Sequence, residues 1–359
     1  MKELTILLAG MIFLFGCTSG VTNDPANDSQ TGITQPQTPE TPETNGSGSE
    51  EESNVPSNIF QYDDLSDNEI RETNGIKHLV PLENIHAGCF GMDCIPSIDN
   101  PKFESAAKGN EWLQDDDIIL GVEYKGVKRA YPLGILNWHE IVNDTIAGDP
   151  IVITYCPLCA TGLAFERTLN GEAVEFGVSG KLYNSDLVMY DRKTETYWEQ
   201  ISGTAIVGTL TGQRLNRIPI ETALWGDWLE KYPDTEVLSR ETGEIRDYAN
   251  YPYGDYQESR SVFFPIDNED DRLHEKTIVH GIELNNQYKA YVDDAIEKGE
   301  IVKEEFSGST IEVEKDSITD GVRAFILDAN GERQTELVTV RSFWFAWFSF
   351  HPQTELYEG

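Results

Sequence analysis

The stretch Gly121-Val122-Glu123-Tyr124 indicates an internal repeat, because a similar stretch, Gly281-Ile282-Glu283-Leu284, follows 160 residues later (281 − 121). Further pairs share this offset, namely Arg129-Ala130-Tyr131 with Lys289-Ala290-Tyr291, Ile141-Val142 with Ile301-Val302, Gly148 with Gly308, Ala164-Phe165 with Ala324-Phe325, and Asn170-Gly171-Glu172 with Asn330-Gly331-Glu332. Solenoid repeats have far shorter periods, of roughly 20–50 residues. The sequence therefore predicts two related halves that arose by internal duplication, residues 59–265 and 266–359.

Both halves carry mostly strand signals. Apolar or alternating runs predict strands at residues 118–124, 128–132, 151–155, 163–168, 172–177, 187–190, 205–209 and 335–340. Weaker helical signals fall at residues 134–142, 223–231, with Thr222 as N-cap, and 291–299. The aromatic run 343–348 is too short to span a membrane and is interpreted as a buried strand. We expect a β-rich α+β fold with the two halves packed around one cleft; the alternative is one barrel-like or sandwich body with a C-terminal addition.

The excess of acidic residues limits the classes of molecule that the protein can bind. The net charge is −36 and the isoelectric point is near 4.3. Such a surface repels phosphate backbones and anionic lipid, so we predict no nucleic-acid binding. The acidic residues are spread along the chain without a recognisable calcium-loop spacing, which favours a role in solubility. The sequence does not identify a protein partner.

The N-terminus predicts the compartment. An apolar run follows Lys2 and is shorter than the roughly 20 residues of a membrane-spanning helix, so residues 1–16 are interpreted as a signal peptide. Leu14-Phe15-Gly16-Cys17 resembles a bacterial lipobox, which implies lipidation of Cys17. Residues 17–58 are rich in Pro, Thr, Ser and Glu and should form a disordered tether. We therefore expect an extracytoplasmic protein held to the cell membrane by a lipid anchor.

Thr154-Tyr155-Cys156-Pro157-Leu158-Cys159 is the segment most suggestive of chemistry. Two thiols at this spacing bind a metal, cycle as a redox disulfide, form a structural disulfide or present one nucleophile. The short segment Asn137-Trp138-His139-Glu140 adds an imidazole and a carboxylate. We predict Cys156, Cys159, His139 and Glu140 as candidate catalytic residues.

If the site binds a metal, three residues are the candidate ligands. Cys156, Cys159 and His139 would bind copper or zinc, which accept sulfur and imidazole ligands. After Cys17, the remaining cysteines are Cys89, Cys94, Cys156 and Cys159, an even number that permits two disulfides or one four-cysteine metal site. The sequence alone leaves these options open.

The second half lacks this candidate site. At the offset of 160 residues, Cys156 corresponds to Asp316, Cys159 to Thr319, and His139 to Gly299. The scaffold positions persist while every candidate side chain is replaced. The first half is therefore expected to carry the chemistry, and the second half to be structural or to shape the cleft.

A polar series follows the thiols. Its members are interpreted as a cleft wall that orients a polar or anionic ligand: Lys181, Tyr183, Asp186, Asp191 and Arg192. The other interpretation is a strand-turn-strand with Asp191 and Arg192 paired at the surface.

Several motifs together resemble the bacterial and archaeal domain-of-unknown-function 3179 family from about residue 79 to the C-terminus. They are Cys94-Ile95-Pro96-Ser97-Ile98-Asp99-Asn100-Pro101, Ala130-Tyr131-Pro132-Leu133, Asn137-Trp138-His139-Glu140-Ile141-Val142-Asn143-Asp144, residues 154–159 and residues 178–192. The resemblance implies an exported, often lipid-anchored protein and supplies no reaction. Cys89 and Cys94 are less typical of the family's pattern, so they are expected to form a local disulfide.

The leading hypothesis is thus an extracytoplasmic lipoprotein whose first half binds a transition metal or carries out thiol redox chemistry. A ligand-binding module with a structural disulfide and a cysteine-nucleophile enzyme are the alternatives.

Overall fold

A computed structural model of the chain describes residues 58–63, 65 and 69–359. The predicted signal peptide, Cys17 and all of the tether except Asn58 lie outside these residues. Within the described part, no helix is long and apolar enough to cross a membrane.

The described residues form short helices and many strands. The helices are α1 Ala106–Gly109, α2 Leu133–His139, α3 Trp225–Lys231 and α4 Trp344–Phe350. The strands are β1 Arg71–Thr73, β2 Ile76–His78, β3 Ile85–Ala87, β4 Phe103–Ser105, β5 Ile118–Tyr124, β6 Val127–Pro132, β7 Ile141–Ile146, β8 Asp149–Cys156, β9 Thr161–Glu166, β10 Thr168–Leu169, β11 Glu172–Ala173, β12 Phe176–Tyr183, β13 Asp186–Asp191, β14 Tyr197–Glu199, β15 Thr204–Val207, β16 Arg217–Ile218, β17 Glu221–Leu224, β18 Glu236–Leu238, β19 Ile278–Leu284, β20 Gln287–Val292, β21 Ile301–Phe306, β22 Ser309–Lys315, β23 Val322–Leu327, β24 Arg333–Leu337, β25 Val340–Phe343 and β26 Glu355–Tyr357. The prediction of a β-rich chain is confirmed.

Two groups of strands have the same arrangement. In the first unit, one sheet has the order β17-β5-β6-β18-β4 and another has the order β16-β9-β8-β7. In the second unit, the sheets have the orders β25-β19-β20-β26 and β21-β22-β23-β24. The leading hairpins even share their register, because Gly121 pairs with Ala130 and Gly281 pairs with Ala290. The last strand of each unit, β18 or β26, runs parallel to β6 or β20.

Gly121 and Gly281 each leave space for a tryptophan ring that packs on the hairpin. A Cβ at Gly121 would lie 2.3 Å from the ring of Trp228 in α3, and a Cβ at Gly281 would lie 2.3 Å from Trp347 in α4. Any larger side chain would displace the ring, so glycine is required for the helix to pack on the hairpin. Both tryptophans are buried, and each indole N–H donates to a threonine hydroxyl 2.9 Å away.

The units differ by an insertion. The two tryptophans are 119 residues apart (347 − 228), whereas the hairpins are 160 apart, so the first unit carries 41 more residues (160 − 119). Strands β12–β15 account for this difference, since they stand between β9 and β16 where the second unit passes from β23 to β24. These strands join β1, β2 and β3 in a seven-stranded sheet.

Three local predictions were wrong. The aromatic run is helix α4 rather than a strand; its residues Trp344 to Ser349 are all buried, and a helix buried on every side shows no 3.6-residue apolar period. The predicted helix 291–299 is strand up to Val292 followed by a 3-10 turn, Asp293–Ala295. Helix α3 begins after Leu224, so Thr222 lies in strand β17 and does not cap it.

Candidate functional site

Both cysteines of the Cys-x-x-Cys segment are buried and free. Cys156 is the last residue of β8, and Cys159 follows in the turn to β9. The Cys159 N–H donates to the Cys156 carbonyl at 3.1 Å. The turn ends at Ala160, whose φ of 52° reverses the chain into β9. The thiols of Cys156 and Cys159 are thus both buried at one tight turn.

A carboxylate from the inserted sheet joins them. One ligand atom each from Cys156, Cys159 and Asp186 lie within 4.8 Å of one another. Asp186 begins β13 after a two-residue hairpin loop, Asn184 and Ser185, whose φ values of 51° and 63° suit a tight β-turn. Backbone N–H groups of Gln200 and Ile201 donate to Asp186 Oδ2 at 3.2 and 3.1 Å and fix its orientation.

Burial favours the protonated, uncharged form of all three groups. Burial, followed by the nearby Glu199, raises the pKa of Asp186 to about 8. Burial also raises the pKa of the Cys156 thiol, and that of Cys159 rises well above its ordinary value. Burial costs each group its charged form, and a bound cation would reverse that preference.

Buried polar groups around the cluster interact mainly with one another. Asp186 Oδ1, Ser185 Oγ and the Tyr256 hydroxyl make no well-aligned hydrogen bond among the described residues, but the Tyr256 hydroxyl interacts with the Ser185 side chain and the Asp186 carboxyl interacts with both thiols. The Cys159 thiol donates to the Ser185 carbonyl at 3.5 Å. The two thiols and the carboxyl therefore form a compact polar group in the protein interior.

His139 does not join this group, which corrects the predicted metal-ligand set. Its Nδ1 lies 2.7 Å from the Pro96 carbonyl and its Nε2 lies 2.8 Å from the Tyr248 hydroxyl. Both ring nitrogens are therefore engaged at the C-terminal end of α2. The third residue of the cluster is Asp186, which the sequence had suggested only as part of a cleft wall.

Glu140, unlike His139, acts electrostatically on one of the thiols. It ends α2 with a φ of 59° and is buried, and the Tyr253 hydroxyl donates to its Oε1 at 3.1 Å. Burial raises the pKa of Glu140 to about 7, and its charge in turn raises the pKa of Cys156. Its predicted catalytic role stays a prediction.

A tyrosine-rich segment, residues 248–256, covers the cluster and was missed by the sequence analysis. Tyr251 donates to the Pro157 carbonyl at 3.4 Å, while the buried Tyr256 lies beneath the ammonium of Lys276, 3.4 Å from the ring centroid to Nζ. With Tyr248 on His139 and Tyr253 on Glu140, all four tyrosines contact the site motifs or their surroundings. The available signal was the density of tyrosines in a stretch without strand or helix pattern.

The other members of the proposed cleft wall have different neighbours. Arg192 binds Asp99, Ser97 and Asp93 through its guanidinium, and Asp191 accepts from Thr194 and Trp198. The surface pairing of Asp191 with Arg192 is therefore not what holds this region together.

Lys181 and Tyr183 lie elsewhere on the same hairpin. Lys181 lies in β12 opposite Val188, and Tyr183 donates to Asp267 at 2.9 Å. A shared ligand for the five wall residues stays a prediction.

The predicted local disulfide forms between Cys89 and Cys94. Its loop packs on Gly180, where φ is 73° and a Cβ would lie 2.6 Å from the Gly91 carbonyl oxygen. The loop therefore packs against β12, and its cysteines are separate in sequence from the free thiols of Cys156 and Cys159.

Comparison with known proteins places the chain in a family. A family profile described as a protein of unknown function, DUF3179, matches residues 92–354. No curated protein and no solved structure matches the chain. The match spans both thiols, Asp186 and most of the two units, so this chain belongs to the DUF3179 family of proteins of unknown function.

Proposed function

We propose that Cys156, Cys159 and Asp186 bind one transition-metal ion. The observation that carries this proposal is the convergence of three buried ligand atoms within 4.8 Å, with the Asp186 carboxyl in contact with both thiols. Without an ion, burial favours the protonated forms of the two thiols and the carboxyl. A divalent ion would stabilise their ionised forms by offsetting up to three negative charges. Three protein ligands would leave one position of a tetrahedral zinc site for water or substrate.

The geometry favours zinc over copper. Thiolates suit both zinc and copper(I), whereas a carboxylate is a hard ligand that zinc accepts and copper(I) does not prefer. Replacing the predicted imidazole by the carboxylate of Asp186 therefore shifts the expectation toward zinc. When bound, zinc would act as a Lewis acid or activate a water molecule.

Burial weighs against the other uses of the thiols. A reactive or redox-active cysteine needs exposure and a lowered pKa, whereas both thiols are buried and burial raises the pKa of each. Both are free, so the structural disulfide of the ligand-binding alternative is not formed at this position.

Elemental analysis of the purified chain tests the proposal. We expect close to one zinc per chain in the wild type, little in Cys159→Ser, and an unchanged amount in Thr319→Ser, the matched position in the second unit. A metal-free wild type in which both thiols alkylate after unfolding would overturn the proposal. A metal-free protein with a Cys156–Cys159 disulfide would favour redox chemistry.

We further propose, from the N-terminal sequence, an extracytoplasmic lipoprotein anchored through Cys17. The lipobox-like Leu14-Phe15-Gly16-Cys17 and the polar segment that follows support this. In a bacterial host, the wild type should sediment with membranes and carry a lipid on Cys17 by mass spectrometry, and Cys17→Ala should not. A wild type released without lipid would contradict the anchor.

We infer as well that the two units descend from a duplication around a shared cleft. The common strand orders and hairpin registers support the duplication. A cavity of about 250 Å³, lined by Tyr124 and Tyr232 on one side and Arg323 and Thr339 on the other, supports the cleft. A sequence profile of relatives over residues 118–166 should detect residues 278–327 better than shuffled controls, and failure to do so would count against common descent.

A further inference from the structure

A second concave site lies beside the thiol cluster and is separate from the proposed metal ligands. It is a crevice of about 520 Å³, within the range of small-molecule pockets. Its aromatic lining consists of Trp112, Tyr155, Tyr248 and Tyr251, and side-chain amides of Gln114, Asn137, Asn250 and Gln257 complete it. Tyr155 immediately precedes Cys156, so this crevice borders the strand end that carries the first thiol.

The Asn-Trp-His segment builds this crevice. His139 holds the Tyr248 hydroxyl, and the Trp138 indole donates to the Asn250 carbonyl at 3.1 Å. Gly134 lets the same wall approach, because a Cβ there would lie 2.8 Å from the Tyr248 carbonyl oxygen. Helix α2 thus fixes one wall of the crevice through Tyr248 and Asn250, which gives this segment a role outside the metal site.

One acceptor atom among the lining residues has no hydrogen-bond donor. Asn137 Oδ1 is buried and has no hydrogen-bond partner in the part of the chain that the structure describes. Amide side chains offer both donors and acceptors, and therefore match hydroxyl groups, which do the same. Aromatic faces beside such amides provide apolar surface for the C–H face of a ring.

The crevice carries charged groups of both signs, which favours neither an anionic nor a cationic ligand. Asp116 and Asp117 contribute carboxylates, Arg240 contributes a guanidinium, and that guanidinium lies 4.6 Å from the ring of Trp112. An anion would meet these carboxylates and the net charge of −36. A cation would compete with Arg240 for the aromatic face.

We propose that this crevice binds an uncharged sugar unit, with its ring against the tyrosines and its hydroxyl groups on the amides of Asn137 and Gln257. The proposal does not depend on the metal. It assigns Asn137, Gln257 and Tyr251 to ligand contact, and His139 to positioning Tyr248.

Calorimetric titration of the full chain with methyl glucoside, N-acetylglucosamine, maltose and cellobiose tests this. We expect at least one to bind with a Kd on the order of 1 mM or tighter, and the anion glucuronate to bind more weakly. Asn137→Ala should weaken binding about tenfold, since a buried polar contact is lost. Gln257→Ala, at an exposed position, should weaken it in a chain whose folding is not at risk.

Two controls separate the outcomes. Gln334→Ala removes an exposed amide far from the crevice in sequence and should leave sugar binding unchanged, and Cys156→Ser should lose metal but retain the sugar. No binding by any of the four sugars, or binding unaffected by both Asn137→Ala and Gln257→Ala, would overturn the proposal. Preferential binding of glucuronate would overturn the assigned ligand class.

Discussion

The turn after β8 and the turn after β22 occupy matching places in the two units and carry different chemistry. Each follows a strand of a matching antiparallel sheet, and each ends at a left-handed residue, Ala160 with φ 52° and Asp320 with φ 58°. The first turn buries two thiols. In the second, Asp316 accepts the N–H groups of Ile318 and Thr319 at 2.8 and 2.9 Å.

What surrounds each turn makes the difference. The first is completed by Asp186 from the inserted hairpin and is covered by residues 248–256. The second meets Lys231 of the first unit, whose ammonium lies 2.9 Å from Asp316. The two turns thus stand at matching places in sheets of the same strand order, and segments outside those sheets, β13 and residues 248–256, give the first turn its different surroundings.

The largest expected effect tests whether the two scaffolds are equivalent. Trp228→Ala and Trp347→Ala should each lower the free energy of unfolding by about 3–5 kcal/mol, because each removes a buried ring that fills the space above a glycine. Denaturant unfolding monitored by circular dichroism measures both. The equivalence would be broken if one variant cost less than about 1 kcal/mol while the other cost the full amount.

The hairpins behind that equivalence could be predicted because their signals are local. Gly121 and Gly281 stand in matching apolar alternations, and strand β5 has the predicted bounds. Asp186 could not be recognised as a partner of the thiols, since only the folded insertion brings it to them. Helix α4 was missed because burial on all faces removes the amphipathic pattern, although its Trp344 and Trp347 match Trp225 and Trp228 of α3 at the shorter offset.

The next effect sharpens the contrast between the two carboxylates. Asp186→Asn should weaken zinc binding by at least about 10–100-fold, since loss even of an outer-shell group costs that much. Asp316→Asn should leave the affinity unchanged, because Asp316 serves the turn without thiols. Competition with a chromophoric chelator measures both, and equal losses in the two variants would contradict the assignment of Asp186 as a ligand.

A smaller effect separates His139 from the metal. His139→Gln should retain the wild-type zinc content while lowering the free energy of unfolding by about 1–3 kcal/mol, because the partly buried Pro96 carbonyl and the Tyr248 hydroxyl lose their shared partner. Metal analysis and denaturant unfolding on one preparation give both values. Loss of zinc in a folded His139→Gln chain would restore the imidazole to the ligand set.

The smallest effect concerns the acid response of the second turn. Burial opposes ionisation of Asp316, but the backbone N–H of Thr319 and the ammonium of Lys231 outweigh it and lower its pKa to about 2. Since the folded pKa lies below the unfolded value of about 4, the stabilisation is complete above pH 4 and is lost as the pH falls toward 2. The partly exposed ion pair limits its size to about 1 kcal/mol or less. Asp316→Asn should therefore be less stable than the wild type at pH 7, and the two unfolding midpoints should converge near pH 2. A difference that persisted at pH 2 would mean that the Asp316 turn is held by its shape rather than by its charge, which would make it more like the Cys156 turn than the contacts indicate.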